Sequence, residues 1–314
     1  MLRLGDAYRM YYWGGNGNPN SYVILMAETS VDEPNAWRPR GGVLLGPQPE
    51  SEVNCRGPSF PFVLPRDDGP WLMTYCGWGA ARADGTLANT CGLALSHDAG
   101  LTWEYLPEEE QWPLTPPRGE PKPYDVSATG SVSVVRASDS DTEYRMYYTA
   151  LGEYFPRPDG AESGHGDTLP RIGVALAVAD SSDDARLAKW AKPLDALLVE
   201  PRGFNTEPYE YIASKPFVIR DGEIWRMWLG TFGTAYRIRS LTSLDGISWT
   251  RVPSSGSEGE LGVGRPGDFD SEQRCYASVV KHGDGYRMWF TGNGFGSTGM
   301  GYAEGTVAVA AAAM

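Results

Sequence analysis

A pentapeptide, YRMYY, occupies residues 8–12 and returns unchanged at 144–148, and three relatives share its central methionine: WLMTY from Trp71, WRMWL from Trp225 and YRMWF from Tyr286. The intervals between copies exceed those of short solenoid repeats and suit a unit of four strands with loops. Each later copy follows a β-branched run and a tight acidic or Gly-rich turn: PSFPFVLPRDDG, GSVSVVRASDSD, SKPFVIRDG and ASVVKHGDG. These read as strand, turn, strand. Downstream of a copy come a further strand, a turn and a tryptophan, as in CGLALSHDAGLTW and IRSLTSLDGISW. The unit is a four-stranded antiparallel meander, strands A to D, with the pentapeptide as strand B.

Five such sheets set radially around a central channel make an all-β, five-bladed β-propeller. The expected arrangement is a single domain over 1–314, with blades at about 1–50, 51–112, 125–200, 208–253 and 270–314. Because a blade is covered on both faces, the alternating positions of strand B are all large, and methionine fills the irregular space between twisted sheets. The motif is therefore read as packing. The 39 glycines and 24 prolines agree with many short strands and turns rather than long helices. The turn SHDAGLTW, from Ser96 to Trp103, matches an Asp-box pattern, and SLDGISW, from Ser243, is a shortened form. Asp98 and Asp245 are expected to accept backbone N–H bonds within their turns.

In such a meander the A–B and C–D turns share one face, and the B–C and D–A connections share the other. The long connections, 106–128, 152–171, 200–212 and 253–276, belong to the second class, which marks the working face. Aligned on Val63, Val134, Val218 and Val279, the segments entering the inner strands place Asn54, Asp125, Tyr209 and Asp270 together. Cys55, Val126, Glu210 and Ser271 follow, then Arg56, Ser127, Tyr211 and Glu272. Carboxylates thus reach the rim at Asp125, Glu210, Asp270 and Glu272, with Arg56, Lys215 and Arg274 as nearby cations. A pair of carboxylates flanking a sugar is what glycosidic cleavage requires. Trp13, Trp78, Phe232 and Phe295, at the ends of the B strands, are placed to stack on sugar rings. His165, in a long working-face loop, is a further candidate for ligand contact; His97 and His282 fall in turns of the opposite face.

The blades, SxDGxxW turns, [YW]RMW strands and acids before inner strands together resemble the arabinanase, levansucrase and invertase superfamily, which includes glycoside hydrolase families 32, 43, 68, 117 and 130. The resemblance covers essentially the whole chain. It implies a central pocket with an Asp base or nucleophile, a second Asp and a Glu general acid on successive inner strands. On that basis Asp125 looks like one of the aspartates and Glu210 like the general acid. The chain departs from the pattern in its first two blades. MLRLGDAYRM aligns with VIRDGEIWRM from Val218, which leaves blade 1 almost no inner strand, and blade 2 carries Asn54, Cys55 and Arg56 where an acid belongs. Closure by the C-terminal TVAVAAAA, a longer natural chain, and a three-stranded blade are all open.

A net charge of −13 disfavours nucleic acid as a partner. No stretch matches a membrane span or signal peptide, so the chain reads as cytoplasmic unless an export segment was removed. Cys55, Cys76, Cys91 and Cys275 show no CxxC spacing, and no metal or cofactor is expected; Cys76 and Cys91 could face each other across a hairpin, although buried free thiols are the preferred reading. The expected partner is a small carbohydrate or glycoside. Three activities fit: a glycoside hydrolase, a phosphorylase using the cations to hold phosphate, and a non-hydrolytic propeller that binds sugar or serves biosynthesis.

Overall fold

The computed structural model describes residues 1–15, 21–80, 88–114, 120–139, 141–158, 167–206, 209–253 and 261–306. The fold is all-β. Two compact units divide the chain: Met1–Gly152 with Leu176–Asp195, and Glu153–Ala175 with Ala196–Met314.

The first unit opens with a meander of β1 (Leu2–Leu4), β2 (Ala7–Gly15), β3 (Tyr22–Ser30) and β4 (Arg38–Leu45), hydrogen-bonded in that order. A second meander follows in β5 (Gly57–Leu64), β6 (Trp71–Trp78), β7 (Asn89–Ser96) and β8 (Glu104–Tyr105). Next come β9 (Ala128–Arg136), β10 (Glu143–Pro156) and β11 (Thr168–Asp180), the last two running from one unit into the other. The second unit holds β12 (Ile212–Asp221), β13 (Ile224–Phe232), β14 (Tyr236–Ser243) and β15 (Thr250–Arg251), then β16 (Cys275–His282), β17 (Gly285–Thr291) and β18 (Met300–Gly305). One parallel bridge, Ile172 to Ile212, joins β11 to β12, so strands β9 to β15 form one seven-stranded order.

Two sheets have the expected four strands, and the last has three among the described residues. The first inner strand is the three-residue β1, paired with Ala7, Tyr8 and Arg9. The tail proposed to close the ring lies, from Val307 onward, outside the described residues. The expected long loop at 152–171 is corrected: β10 runs on to Pro156 and β11 starts at Thr168. Fully buried Leu169 and the Phe155–Phe204 ring contact at 6.2 Å give this extension apolar anchors. Among the described residues no helix is long and apolar enough to cross a membrane.

All five repeat methionines, Met10, Met73, Met146, Met227 and Met288, are at most 8% exposed. The motif's first aromatic residue has a second use. The Tyr144 hydroxyl donates to Asp68 in the preceding A–B turn at 3.1 Å, with the Arg66 and Arg136 guanidinium groups 5.3 and 5.7 Å from its ring. Tyr286 repeats this with Asp221, flanked by Arg226 and Lys281 at 5.4 and 5.1 Å. Each latch ties strand B of one sheet to the A–B turn of the sheet before it.

The Asp-box turns are closed as expected. Asp98 accepts N–H bonds from Leu101 and Thr102 (3.1 and 2.9 Å), and Asp245 from Ile247 and Ser248 (2.8 and 2.7 Å). Trp103 and Trp249 then donate their indole N–H back to Gly100 and Gly246. A third box was not visible in the sequence: Asp184 accepts from Arg186 and Ala188, and Trp190 donates to Leu187 at 2.6 Å. The Thr102 hydroxyl and N–H hold the Asp98 carboxyl down to about 2; at Asp245 burial opposes the charge, yet the N–H groups of Ser248 and Ile247 bring it to about 2 as well. Both values lie below the ordinary carboxylate value. Their contribution to stability is therefore present above about pH 4 and lost as pH falls through about 2. The thermal-stability deficit of Asp98→Ala should be full near neutral pH and shrink across that window; a deficit independent of pH would contradict the assignment.

Candidate functional site

The segments that enter the inner strands are equivalent in backbone geometry. The N–H groups of Arg56, Ser127 and Tyr211 donate to the carbonyls of Trp78, Leu151 and Phe232 at 2.9, 3.0 and 2.9 Å. Inside each following strand the pairing slips by one residue at the same point, in β5, β9, β12 and β16. The inserted residue is Phe60, Ser131, Lys215 or Tyr276, each three positions before its alignment valine, and each left-handed with φ of 48°, 43°, 55° and 59°. Non-glycine residues adopt this conformation at a cost of about 1–3 kcal/mol, and bulges of this kind re-aim side chains at strand ends.

In the first unit Asp125 is held on every side. Its Oδ1 accepts the Lys122 N–H at 2.7 Å, and its Oδ2 accepts the Tyr148 hydroxyl at 2.8 Å and faces the Lys192 ammonium at 2.6 Å. The Asp125 side chain is 0% and that of Lys192 5% exposed. Burial first, and then the negative charge of Asp125, push the Tyr148 hydroxyl far above its ordinary value, so it remains a donor. Tyr148 closes the YRMYY at 144–148, the third copy of the repeat, so in this copy the packing motif also reaches a candidate acid. Asn54, at the corresponding place, is fully buried and donates to Gln48 Oε1 at 2.8 Å.

Arg56, Trp13 and Trp78 meet around Tyr22: the Arg56 guanidinium lies 5.8 Å from its ring, and the tryptophan rings lie at 5.4 and 5.5 Å. The inserted Phe60 packs on Trp13 at 5.2 Å. Nearby in sequence, Glu50, Ser51, Glu52, Val53 and Cys55 line a pocket of about 430 Å³. Cys76 and Cys91 are cross-strand partners in β6 and β7, and none of the four cysteines is in a disulfide.

In the second unit the pairing of Ile212 with Phe232, and of Phe232 with Tyr236, gathers Glu210, Phe232 and Tyr236 at one end of the sheet. Asp221 and Asp245 mark the other end. Glu210 is 2% exposed and lies 3.4 Å from Arg239 Nε and 2.9 Å from Arg251 Nη1. Neither of its carboxylate oxygens accepts a well-aligned hydrogen bond among the described residues. Asp270, also buried, instead accepts a hydrogen bond from Arg274 at 2.7 Å, and Arg274 donates as well to the Leu261 carbonyl. Glu272 is exposed, and among the described residues its backbone is tied to Asn293 and Arg237.

Lys215, Phe232 and Phe295 come together through Tyr236: the Lys215 ammonium is 5.3 Å, and the two phenyl rings 4.8 and 5.8 Å, from its ring. The Lys215 ammonium also sits 3.9 Å above Tyr276, on which the half-exposed Phe295 stacks. Phe295 is itself left-handed, at φ 59°.

Of the candidate residues, His165 lies outside the described residues. Tyr22, Tyr236, Tyr276, Lys192, Arg239 and Arg251 were not expected at the site. A signal existed for Arg239, since the alternation in YRIRS puts Arg237 and Arg239 on one face of β14. None existed for Lys192, which arrives from an irregular segment far along the chain. Among the described residues, no three His, Cys, Asp or Glu side chains are grouped as a metal site.

No family model matches the chain. Over 302 residues it is 28% identical to a Mycobacterium tuberculosis (strain H37Rv) protein described as uncharacterized protein Rv1502, covering 95% of this chain and 88% of that one. Among solved structures, a glycoside hydrolase superposes with a TM-score of 0.70 at 17% identity, over 100% of this chain and 88% of the other. A thermostable family-43 glycoside hydrolase gives 0.61 at 15%, over 96% and 86%. A structure from the GH130 family of mannoside phosphorylases, described as containing hydrolases of β-1,2 mannosidic linkages, gives 0.62 at 14%, over 97% and 82%. At these identities the likeness is one of fold: the chain shares the all-β fold of the glycoside hydrolases on which it superposes.

Proposed function

We propose that this chain is a glycoside-active enzyme, a single five-bladed propeller that cleaves a glycosidic bond by carboxylate acid/base catalysis. The observation that carries the reading is Glu210. It is a deeply buried carboxylate just before an inner strand, held as an ion pair by Arg251 at 2.9 Å and Arg239 at 3.4 Å. A side chain of this kind is placed to exchange a proton with a glycosidic oxygen or an attacking water. In the first unit Asp125, its oxygens already engaged by Lys192, Tyr148 and Lys122, is the candidate for the fixed negative charge that such a reaction uses. Asp270 is aligned by Arg274, and exposed Glu272 assists from the rim. Each unit carries its own aromatic set for a sugar ring: Trp13 and Trp78 with Arg56 around Tyr22 in the first, and Phe232 and Phe295 with Lys215 around Tyr236 in the second.

The engagement of Asp125 and Asp270 favours one second reading, a propeller that binds or builds a glycoside without hydrolysing it. Assay of a panel of aryl glycosides and oligosaccharides, with and without inorganic phosphate, separates the possibilities. Phosphate-independent release of sugar is the expected result. Strict phosphate dependence would point to a phosphorylase, and binding without turnover to the non-hydrolytic reading.

A further inference from the structure

Cys76 and Cys91 stand directly opposite each other in β6 and β7. One register step beyond Trp78 and Asn89, the Gly79 N–H donates to the Ala88 carbonyl at 3.1 Å. Hydrogen-bonded and non-hydrogen-bonded pairs alternate along an antiparallel ladder, so Cys76 and Cys91, three steps further in, form a non-hydrogen-bonded pair. The backbone of both cysteines agrees. The Cys91 N–H donates to Thr129 Oγ1 at 3.0 Å, and the Cys76 carbonyl accepts from the Ser59 hydroxyl of β5 at 3.4 Å. Pairs of this kind are the narrow ones of a ladder, with Cα atoms about 4.5 Å apart, inside the range of about 4.4–6.8 Å that disulfides span. The other two cysteines are not placed in this way: Cys55 precedes β5, and Cys275 faces Thr291 across β16 and β17.

Strand β9 covers the pair. Both cysteines are at most 3% exposed. Cys76 Sγ lies against Gly130, where an added Cβ would come within 2.9 Å of it, and Thr129 Oγ1 meets Thr90 Oγ1 at 3.2 Å. Thr129 and Gly130 pair with Ala150 and Thr149 of β10, and Tyr148, the neighbour of Thr149, is the residue that donates to Asp125. The sulfur pair therefore sits beneath the strands that brace a candidate acid. Burial first, and then the neighbouring Cys76, raise the Cys91 thiol above its ordinary value, so the closed fold suppresses the thiolate that exchange requires. Exchange then proceeds through local opening of β6 and β7.

We propose that Cys76 and Cys91 are a reversible oxidation site, a dithiol that closes to a cross-strand disulfide by exchange with a small disulfide of the glutathione class. One cysteine thiolate attacks a sulfur of oxidised glutathione, which forms the mixed disulfide and releases one glutathione thiolate. The second cysteine thiolate then attacks the protein sulfur of that mixed disulfide and releases the other. The two cysteines lose two electrons and two protons, and both pass to the two glutathione thiols. The pleat fixes both Cβ positions and Gly130 closes the β9 side, so the bond forms with little freedom to adjust its geometry and is readily reduced again. The inference is independent of the glycoside-active reading.

The test is incubation of the full chain in mixtures of reduced and oxidised glutathione, at a urea concentration below its unfolding transition, followed by alkylation and peptide mass mapping. The expected product is a peptide pair joined through Cys76 and Cys91, lighter by two hydrogens, that increases with the oxidised fraction and disappears on addition of dithiothreitol. Cys55→Ala and Cys275→Ala should still form it, and Cys76→Ala and Cys91→Ala should not. The oxidised chain should also unfold at higher urea than the reduced chain, because the bond restricts the unfolded state. Three results overturn the inference: no such bond at any ratio while the chain stays folded, a stable glutathione adduct without closure, or an oxidised chain that unfolds at lower urea than the reduced one. The mapping and the urea comparison use the unaltered chain, so they decide the matter even where an alanine variant fails to fold.

Discussion

Glu210→Gln is expected to lower kcat/KM by about 10²–10⁴-fold on any glycoside the chain turns over, the range associated with removal of a positioned proton-transfer group. The amide keeps the shape of the side chain and an oxygen to face Arg251, but it cannot exchange the proton. Two controls separate chemistry from architecture. If Glu210 donates to the leaving oxygen, the loss should be smaller for a substrate with an acidic phenol leaving group than for one with an alkyl leaving group, because the phenolate departs with less help. Glu210→Asp should also be slow despite retaining a carboxylate, since a shift of about 1 Å can cost about 10²-fold. An unaltered kcat/KM in Glu210→Gln would remove Glu210 from the mechanism.

The legible part of this chain was its repetition. Methionine at the third place of each copy fixed the register of the B strands, and all five methionines are buried there. That register, carried back to the preceding strands, placed Arg56, Ser127 and Tyr211 in equivalent positions, which their backbone hydrogen bonds share. What escaped was geometry that leaves no compositional mark. The four bulges sit on Phe60, Ser131, Lys215 and Tyr276, and none carries the glycine that usually announces a left-handed residue. The third Asp box went unseen for the same reason, since Leu187 occupies its left-handed position. Charge compensation was the other gap. Acids before inner strands could be listed from sequence, but their partners Lys192, Arg239 and Arg251 depend on which strands lie side by side.

That gap carries the second large effect. The Lys192–Asp125 pair is almost closed to solvent, at 2.6 Å with side chains 5% and 0% exposed. Lys192→Met removes one charge and leaves the other buried, a change that typically costs about 3–5 kcal/mol. Urea unfolding should show a loss of that size, whereas Tyr148→Phe, which deletes one hydrogen bond to the same carboxylate, should cost nearer 1 kcal/mol. Adding Asp125→Asn to Lys192→Met should restore much of the stability, because no uncompensated charge then remains. A loss below about 1 kcal/mol in Lys192→Met would mean that water or a shifted side chain already compensates Asp125. The double variant also separates Asp125's two possible roles. If Asp125 only braces the fold, the stabilised double variant should recover activity along with stability. If its negative charge steadies the transition state, stability should return while kcat stays low, because a neutral amide packs in the same space without supplying the charge.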